Sequence, residues 1–289
     1  MLSRFSEYFK LMRVKHYIKN ILIFLPLIFS GKLLNKSLLF KDIVSFFAFC
    51  FIASIVYIIN DIVDLEKDKS HDTKKNRPLA KKSVSIREAI MLIIILFIFT
   101  VLIMLYMSNA YSFCILVLYL IINVTYSFIF KNIPIIDVAI LTSGFIIRVI
   151  YGGVCVDVKV SSWLCLTVMS MAFYLSLGKR RNEIIKMKKK KNTREVLKYY
   201  TREYLDKFMY MCLTLTIVFY SLWTTTNTNS KYNSFLIWTV PLVILICMKY
   251  SLIIEGDSDG DPVEVVLKDR VMLGLIIGYG CIIMALFYL

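Results

Sequence analysis

Four oxygen-bearing side chains, Asn60, Asp61, Asp64 and Asp68, fall within a stretch of nine residues. Asn60, Asp64 and Asp68 recur every four positions, and Asp61 lies in the same sector as Asp64 and Asp68. On a helix these side chains share one face. Carboxylates crowded together repel one another, so a cation is expected between them. An all-oxygen donor set suits Mg²⁺, which takes one or two carboxylates together with substrate phosphates and water. Asn60, Asp61, Asp64 and Asp68 are therefore the candidate metal ligands, and the three aspartates are also candidate catalytic residues. The bland alternative is a solvated helix end beside neighbouring lysines, but Asn60 and Asp61 sit directly on the edge of an apolar block. Lys74, Lys75 and Arg77 follow at once, then Pro78. Carboxylates for a metal beside cations for phosphate suit a diphosphate held on Mg²⁺.

The elements that must position this motif are membrane helices. The chain has 289 residues, 58% of them hydrophobic, yet a formal net charge of +15. The apolar residues fall in blocks near the roughly 20 residues a helix needs to cross a bilayer, and the charges fall between them. The expected class is all-α and polytopic, with nine transmembrane helices near 18–35, 40–60, 86–107, 111–130, 134–154, 160–178, 206–225, 233–254 and 270–289. Residues 1–289 read as one integral membrane domain. Phe5, Tyr8, Phe9 and Met12 alternate with Arg4, Lys10, Arg13 and Lys15, so residues 1–17 are expected to lie on the cytoplasmic interface. That basic stretch lacks a following cleavage site and does not read as a cleavable signal. Loops on alternate sides differ sharply in Lys and Arg. The basic side, which includes 179–205 with its Lys188–Lys191 run, is expected to be cytoplasmic. Those basic loops attract anionic lipid head groups; no nucleic-acid partner is expected. The seven cysteines form no CxxC pair and read as small buried hydrophobes. His16 and His71 do not suggest a metal site.

Asn60-Asp61-x-x-Asp64-x-x-x-Asp68, followed by the basic stretch ending in Arg77-Pro78, resembles the first motif of the UbiA superfamily of intramembrane prenyltransferases. A nine-helix bundle with cytoplasmic motif loops is what that resemblance implies. Most members carry a second aspartate-rich motif after the sixth span. Here that place reads Leu177-Gly178-Lys179-Arg180-Arg181-Asn182-Glu183, with cations where carboxylates would stand. Tyr17-Ile18-Lys19-Asn20, Tyr126-Ser127-Phe128-Ile129-Phe130-Lys131, Ile136-Asp137-Val138, Gly144-Phe145-Ile146-Ile147-Arg148 and Gly260-Asp261-Pro262-Val263-Glu264 with Lys268-Asp269-Arg270 resemble the polyprenyl-phosphate phosphoribosyltransferase branch. That resemblance implies transfer of 5-phosphoribosyl from 5-phosphoribosyl 1-diphosphate to a polyprenyl phosphate, with Mg²⁺ as cofactor and release of diphosphate. It also implies a bacterial cytoplasmic membrane and a site facing the cytoplasm. A homo-oligomer is compatible with the sequence.

The residues suit two phosphates plus a diphosphate. One acidic cluster stands among many cations, and the candidate substrate-binding residues are Lys19, Asn60, Lys74, Arg77, Tyr126, Lys131, Lys179 and Arg180. Arg148 lies about 14 residues into its span, roughly 20 Å deep at 1.5 Å per residue. A charge there costs several kcal/mol and marks function by default. It is expected near the acceptor phosphate or the donor diphosphate, as a catalytic residue. Pairing with Asp137, three turns away, is not expected. Tyr126 and Lys131 could bind phosphate or anchor their helix at the interface. Asp261, Glu264, Asp269 and Arg270 could brace the site, close over it or form a plain charged turn. An aromatic or haem prenyltransferase using a prenyl diphosphate would need the missing second motif. A transporter or scaffold would place charges along a path through the membrane, whereas here they gather on one side.

Overall fold

The computed structural model describes residues 2–70, 74–187, 195–230, 232–256 and 262–289. His71, the Lys188–Lys191 run and Gly260-Asp261 lie outside the described residues. Every regular element among the described residues is helical. In chain order they are α1 (Leu2–Leu11), α2 (Leu25–Phe29), α3 (Lys36–Val63), α4 (Leu65–Lys69), α5 (Ile86–Met107), α6 (Ala110–Phe128), α7 (Ile136–Cys155), α8 (Ser162–Met187), α9 (Arg202–Thr226), α10 (Asn233–Leu236), α11 (Val240–Glu255), α12 (Pro262–Lys268) and α13 (Arg270–Tyr288), with short 3-10 segments between some of them.

Polar caps start the long helices where the apolar blocks begin. Asn35 accepts from the backbone N–H groups of Ser37 and Leu38 at the head of α3. Ser85 and Glu88 form a reciprocal capping box on α5. Asn109, Thr201 and Asp269 cap α6, α9 and α13. Each satisfies backbone donors that would otherwise be orphaned, contributing about 1 kcal/mol.

Among the described residues, seven helical stretches are long and apolar enough to cross a membrane: Lys36–Val63, Ile86–Met107, Ala110–Phe128, Ile136–Cys155, Arg202–Thr226, Asn233–Glu255 and Arg270–Tyr288. They match seven of the nine expected spans. The other two depart from the reading. Residues 18–35 do not form one α-helix; Val14–Phe24 is a 3-10 segment of 11 residues that runs into the short α2. The block at 160–178 is longer than expected, because α8 continues through Lys179–Glu183 to Met187. The expected Lys-Arg loop is helix, and its charges lower the apolarity of α8.

α3 is the hub. It packs against α5, α6, α7 and the 3-10 segment, burying Phe49, Ile52, Ile55, Ile58 and Tyr151 in one core. α8 and α9 pack along their length, and with α11 they bury Tyr174, Leu205, Met209 and Tyr250 in a second. Phe29, Trp223 and Phe287 build a third core. α7 joins the halves, packing on α6 and α8. The remaining faces expose Met91, Ile94, Phe97, Ile98 and Leu252, a surface that suits lipid rather than water.

One close approach fixes the 3-10 segment. A Cβ on Gly152 would lie 2.0 Å from the Ile23 carbonyl oxygen. Only glycine lets α7 approach this backbone so nearly. Long 3-10 runs are uncommon and mark strain or function, and this one carries Lys19 and Asn20.

Candidate active site

The acidic motif spans a break. α3 ends at Val63, Asp64 leaves helical geometry (φ −90°, ψ 7°), and α4 restarts at Leu65. The break divides the carboxylates, which do not share one face as expected. Asp61 and Asp68, both buried, converge on one nitrogen: Arg77 Nη1 donates to Asp61 Oδ1 at 3.1 Å and to Asp68 Oδ2 at 2.6 Å. Asp64 turns away, accepting from Lys131 Nζ at 2.5 Å. Asn60 is half-buried in the last turn of α3.

Arg13, which the sequence reading assigned only to the interfacial helix, donates to Asp61 Oδ1 at 2.5 Å. Its guanidinium also lies over the Tyr57 ring, 4.8 Å from the centroid. Arg13 adopts left-handed backbone geometry (φ 53°) at the junction between α1 and the 3-10 segment. That conformation costs about 1 kcal/mol, which the ion pair offsets.

The donor set fits Mg²⁺. Its atoms are oxygens, and two carboxylates already share one cationic atom, as a bound metal requires. Among the described residues no group of three His, Cys, Asp or Glu is placed to hold a metal. The pair Asp61 and Asp68 is therefore the candidate core of the set, with Asp64 and Asn60 as candidate neighbours.

Two other predicted residues are placed differently from expectation. Arg180 is fully buried and does not face open space. Its Nε donates to Asp137 Oδ2 at 2.6 Å and its Nη1 to Glu183 Oε2 at 2.8 Å, with Nη2 3.4 Å from the Tyr126 hydroxyl. Asp137 is equally buried and accepts from the Tyr200 hydroxyl at 2.7 Å; that oxygen in turn accepts from Ile135 N at 2.6 Å. Burial, then the neighbouring Asp137 carboxylate, raises the Tyr200 hydroxyl above the usual phenol range, so it remains a donor. Tyr126 thus meets Arg180, and the cation expected to contact substrate is committed to a protein network. A fully buried pair of this kind costs much to break.

Arg148 is also buried. As expected, it does not pair with Asp137. Its Nε donates to Asn20 Oδ1 at 2.7 Å, Nη1 to the Gly144 carbonyl at 2.6 Å and Nη2 to the Tyr119 hydroxyl at 3.2 Å. Phe49 lies 4.9 Å beneath it. Asn20 reaches on to Cys50 of α3, 3.1 Å away. Eleven residues of α3 separate Cys50 from Asp61, so Arg148 lies roughly 16 Å below the acidic motif at 1.5 Å per residue. That is too far for it to reach a diphosphate held by Asp61 and Asp68, as one reading of the sequence expected.

Lys19 is half-buried between Arg13 and Asn20 in chain order, Lys74 opens the 3-10 turn that leads to Arg77, and Lys179 lies half-buried on α8. Asp269 caps α13 through Met272 N at 2.7 Å and pairs with Lys249 at 2.9 Å. The Met272 backbone bond, then Lys249, holds its carboxyl below the usual range. It braces the start of α13. Arg13, Asn20, Tyr119 and Asp137 are the partners that sequence reasoning missed. Asp137 carried a signal, since an acid inside an apolar block needs a partner.

Comparison with known proteins places this geometry. Residues 25–268 match the pattern of the UbiA prenyltransferase family. The chain is 29% identical to a protein of Corynebacterium glutamicum named decaprenyl-phosphate phosphoribosyltransferase, covering 96% of this chain and 86% of that one. It is 30% identical to a protein of the same name from Mycolicibacterium smegmatis, over 92% and 88% of the two chains. Among solved structures, a UbiA homolog from Archaeoglobus fulgidus bound to DMAPP and Mg²⁺ superposes with a TM-score of 0.72 at 20% identity, over 96% of this chain and 99% of that one. A structure of digeranylgeranylglyceryl phosphate synthase superposes with a TM-score of 0.67 at 19% identity, over 99% and 100%.

Proposed function

The chain belongs to the UbiA prenyltransferase family of integral membrane transferases, and from that premise we propose that it is a polyprenyl-phosphate phosphoribosyltransferase. It moves 5-phosphoribosyl from 5-phosphoribosyl 1-diphosphate to a polyprenyl phosphate and releases diphosphate. The carrying observation is the Asp61 and Asp68 carboxylate pair at the end of α3, with no second such pair on α8 among the described residues, where Arg180 is buried instead. One carboxylate pair can hold a metal at Asp61 and Asp68, and where a second pair would stand α8 carries Arg180, already paired with Asp137 and Glu183. That charge balance suits a sugar diphosphate donor and an anionic lipid acceptor better than a prenyl diphosphate and a neutral acceptor. The names of the relatives agree.

Asp61 and Asp68, with Asn60 and Asp64 adjoining, would hold Mg²⁺, which when bound supplies charge neutralisation for the diphosphate. Arg13, Arg77 and Lys131 lie on the carboxylates and can pass to the diphosphate oxygens as the donor enters. Lys19, Lys74 and Lys179 add positive potential around the entrance. As the C1–O bond to the diphosphate breaks, the sugar carbon gains positive character, and an oxygen of the lipid phosphate attacks from the opposite face. The cations hold the electron pair that departs with the diphosphate. The nucleophile is already an anion, so no general base is required.

Residues 1–289 act as one domain in this account, with α1 on the cytoplasmic interface of a bacterial cytoplasmic membrane and the charged end facing the cytoplasm. The polyprenyl tail lies between helices in the hydrocarbon. To test the reaction, purified protein receives both substrates and Mg²⁺ while diphosphate release is followed. Release that requires the donor, the lipid and the metal together supports it. Release from a prenyl diphosphate, with none from the phosphoribosyl donor, overturns it.

A further inference from the structure

Arg13, Arg77, Lys131 and Arg180 each touch a carboxylate. Arg148 touches none among the described residues. Its three partners are an amide oxygen, a backbone carbonyl and a phenol, all neutral. Its side chain is 5% exposed. An uncompensated charge at this depth costs several kcal/mol. The surroundings are built to hold it none the less: Asn20 and Tyr119 fix the guanidinium plane, and Phe49 lies under its face. Three of its five N–H donors are used, and two are left for an anion.

The depth narrows which anion it is. A lipid phosphate travels at the level of the head groups, with its tail in the hydrocarbon. Carrying that phosphate to Arg148 would draw it roughly 16 Å from the acidic motif toward the bilayer centre. A water-soluble donor with an anionic group at each end has no such anchor. In 5-phosphoribosyl 1-diphosphate nine covalent bonds separate the outermost phosphorus atoms, roughly 10–12 Å when extended at near 1.5 Å per bond. Cation bridges at the carboxylate end and guanidinium hydrogen bonds of about 2.8 Å at the other take up the remainder.

We propose that Arg148, oriented by Asn20 and Tyr119, is the subsite for the 5-phosphate of the donor, an inference that rests on the donor assigned above. The donor then stands along the 3-10 segment, its diphosphate at Asp61 and Asp68 and its 5-phosphate on Arg148. C1 lies near the interface, where the lipid phosphate meets it. This subsite would distinguish a phosphorylated sugar from one lacking the 5-phosphate.

Asn20→Asp tests it with little change in shape. The new carboxylate would sit on Arg148 Nε and supply the missing counter-charge, so the fold is kept and the anion site is neutralised. In steady-state assays with Mg²⁺, the KM for 5-phosphoribosyl 1-diphosphate should rise at least about tenfold, the loss of one charge-assisted hydrogen bond. The KM for polyprenyl phosphate should not change. Ribosyl 1-diphosphate lacking the 5-phosphate, used as a competitive inhibitor, should bind variant and wild type alike. Arg148→Lys, which keeps charge but loses the fork, should raise the donor KM and leave the acceptor KM. A rise confined to the acceptor KM, or no change in either, would overturn the subsite alone. A wild-type protein that transfers nothing from this donor would overturn the donor reading and the subsite with it.

Discussion

Consider replacing Arg180 by Gln. The guanidinium and the Asp137 carboxylate are both fully buried and 2.6 Å apart. Without Arg180, Asp137 keeps only the Tyr200 hydroxyl as a side-chain hydrogen-bond partner among the described residues. Leaving one charge of a buried pair uncompensated costs about 3–5 kcal/mol. Asp137→Asn alone should cost less, because Arg180 loses its fully buried partner but keeps Glu183 at 2.8 Å. The double variant replaces two charges by two amides, so its cost should fall below the sum by at least about 2 kcal/mol. The assay is reversible unfolding in mixed micelles, followed by tryptophan fluorescence, on the four proteins of the cycle. A single-variant cost below about 1 kcal/mol, or strictly additive costs, would refute a structural role for the pair. It would return Arg180 to the phosphate-binding role that the sequence first suggests.

Further outcomes follow from other contacts. Gly152→Ala should destabilise the protein by more than about 2 kcal/mol and abolish transfer, since its Cβ meets the Ile23 carbonyl and displaces the segment carrying Lys19 and Asn20. Gly278→Ala, whose Cβ meets nothing within 4 Å, should melt as the wild type does. Asp64→Ala should lose Mg²⁺-dependent transfer by at least about a hundredfold; full activity would remove Asp64 from the metal-binding set. Lys10, then Lys81 and the Ser83 hydroxyl, holds Glu7 down at about 2 from an ordinary 4.5. A depressed carboxyl stabilises the docked α1 above its ordinary pKa and loses that contribution as pH falls from about 4.5 toward about 2. Hydrogen exchange of α1 should rise across that window, and Glu7→Gln should flatten the rise.

Much of the fold was legible because a bilayer forces it. Apolar blocks of helical length between charged loops leave few alternatives, and seven spans fell where the blocks did. The two departures have separate causes. The block at 18–35 is apolar enough to be helix, but hydropathy does not distinguish a 3-10 repeat from an α repeat. What shapes it is α7, whose Gly152 lies against Ile23. Lys179–Glu183 read as loop because the residues are charged, yet α8 carries Arg180 and Arg181 into the protein, where they pair with Asp137 and Asp206. Those partners lie 43 and 25 residues distant in sequence, beyond any local pattern.

The site divides in the same way. The motif from Asn60 to Asp68 and the cations Arg77 and Lys131 were visible as types and spacing, and the structure brings them together. The break at Asp64 was not visible, because the modest helix propensities of Ile62, Val63 and Asp64 do not mark a break by themselves. Arg13 was read as part of an amphipathic surface pattern. Only the turn at its left-handed backbone directs it to Asp61 across 48 positions. Arg148 was legible as a charge in a span. Its carboxylate-free surroundings required the structure.

The most direct measurement is transfer of label to lipid. Purified protein in liposomes with Mg²⁺ and polyprenyl phosphate is given 5-phosphoribosyl 1-diphosphate labelled in the ribose, and in parallel a labelled prenyl diphosphate. The account predicts label in the extracted lipid from the ribosyl donor, none transferred from the prenyl diphosphate, and loss of the signal on chelation of the metal. Transfer from the prenyl diphosphate, with the ribose label remaining in the aqueous phase, would contradict it.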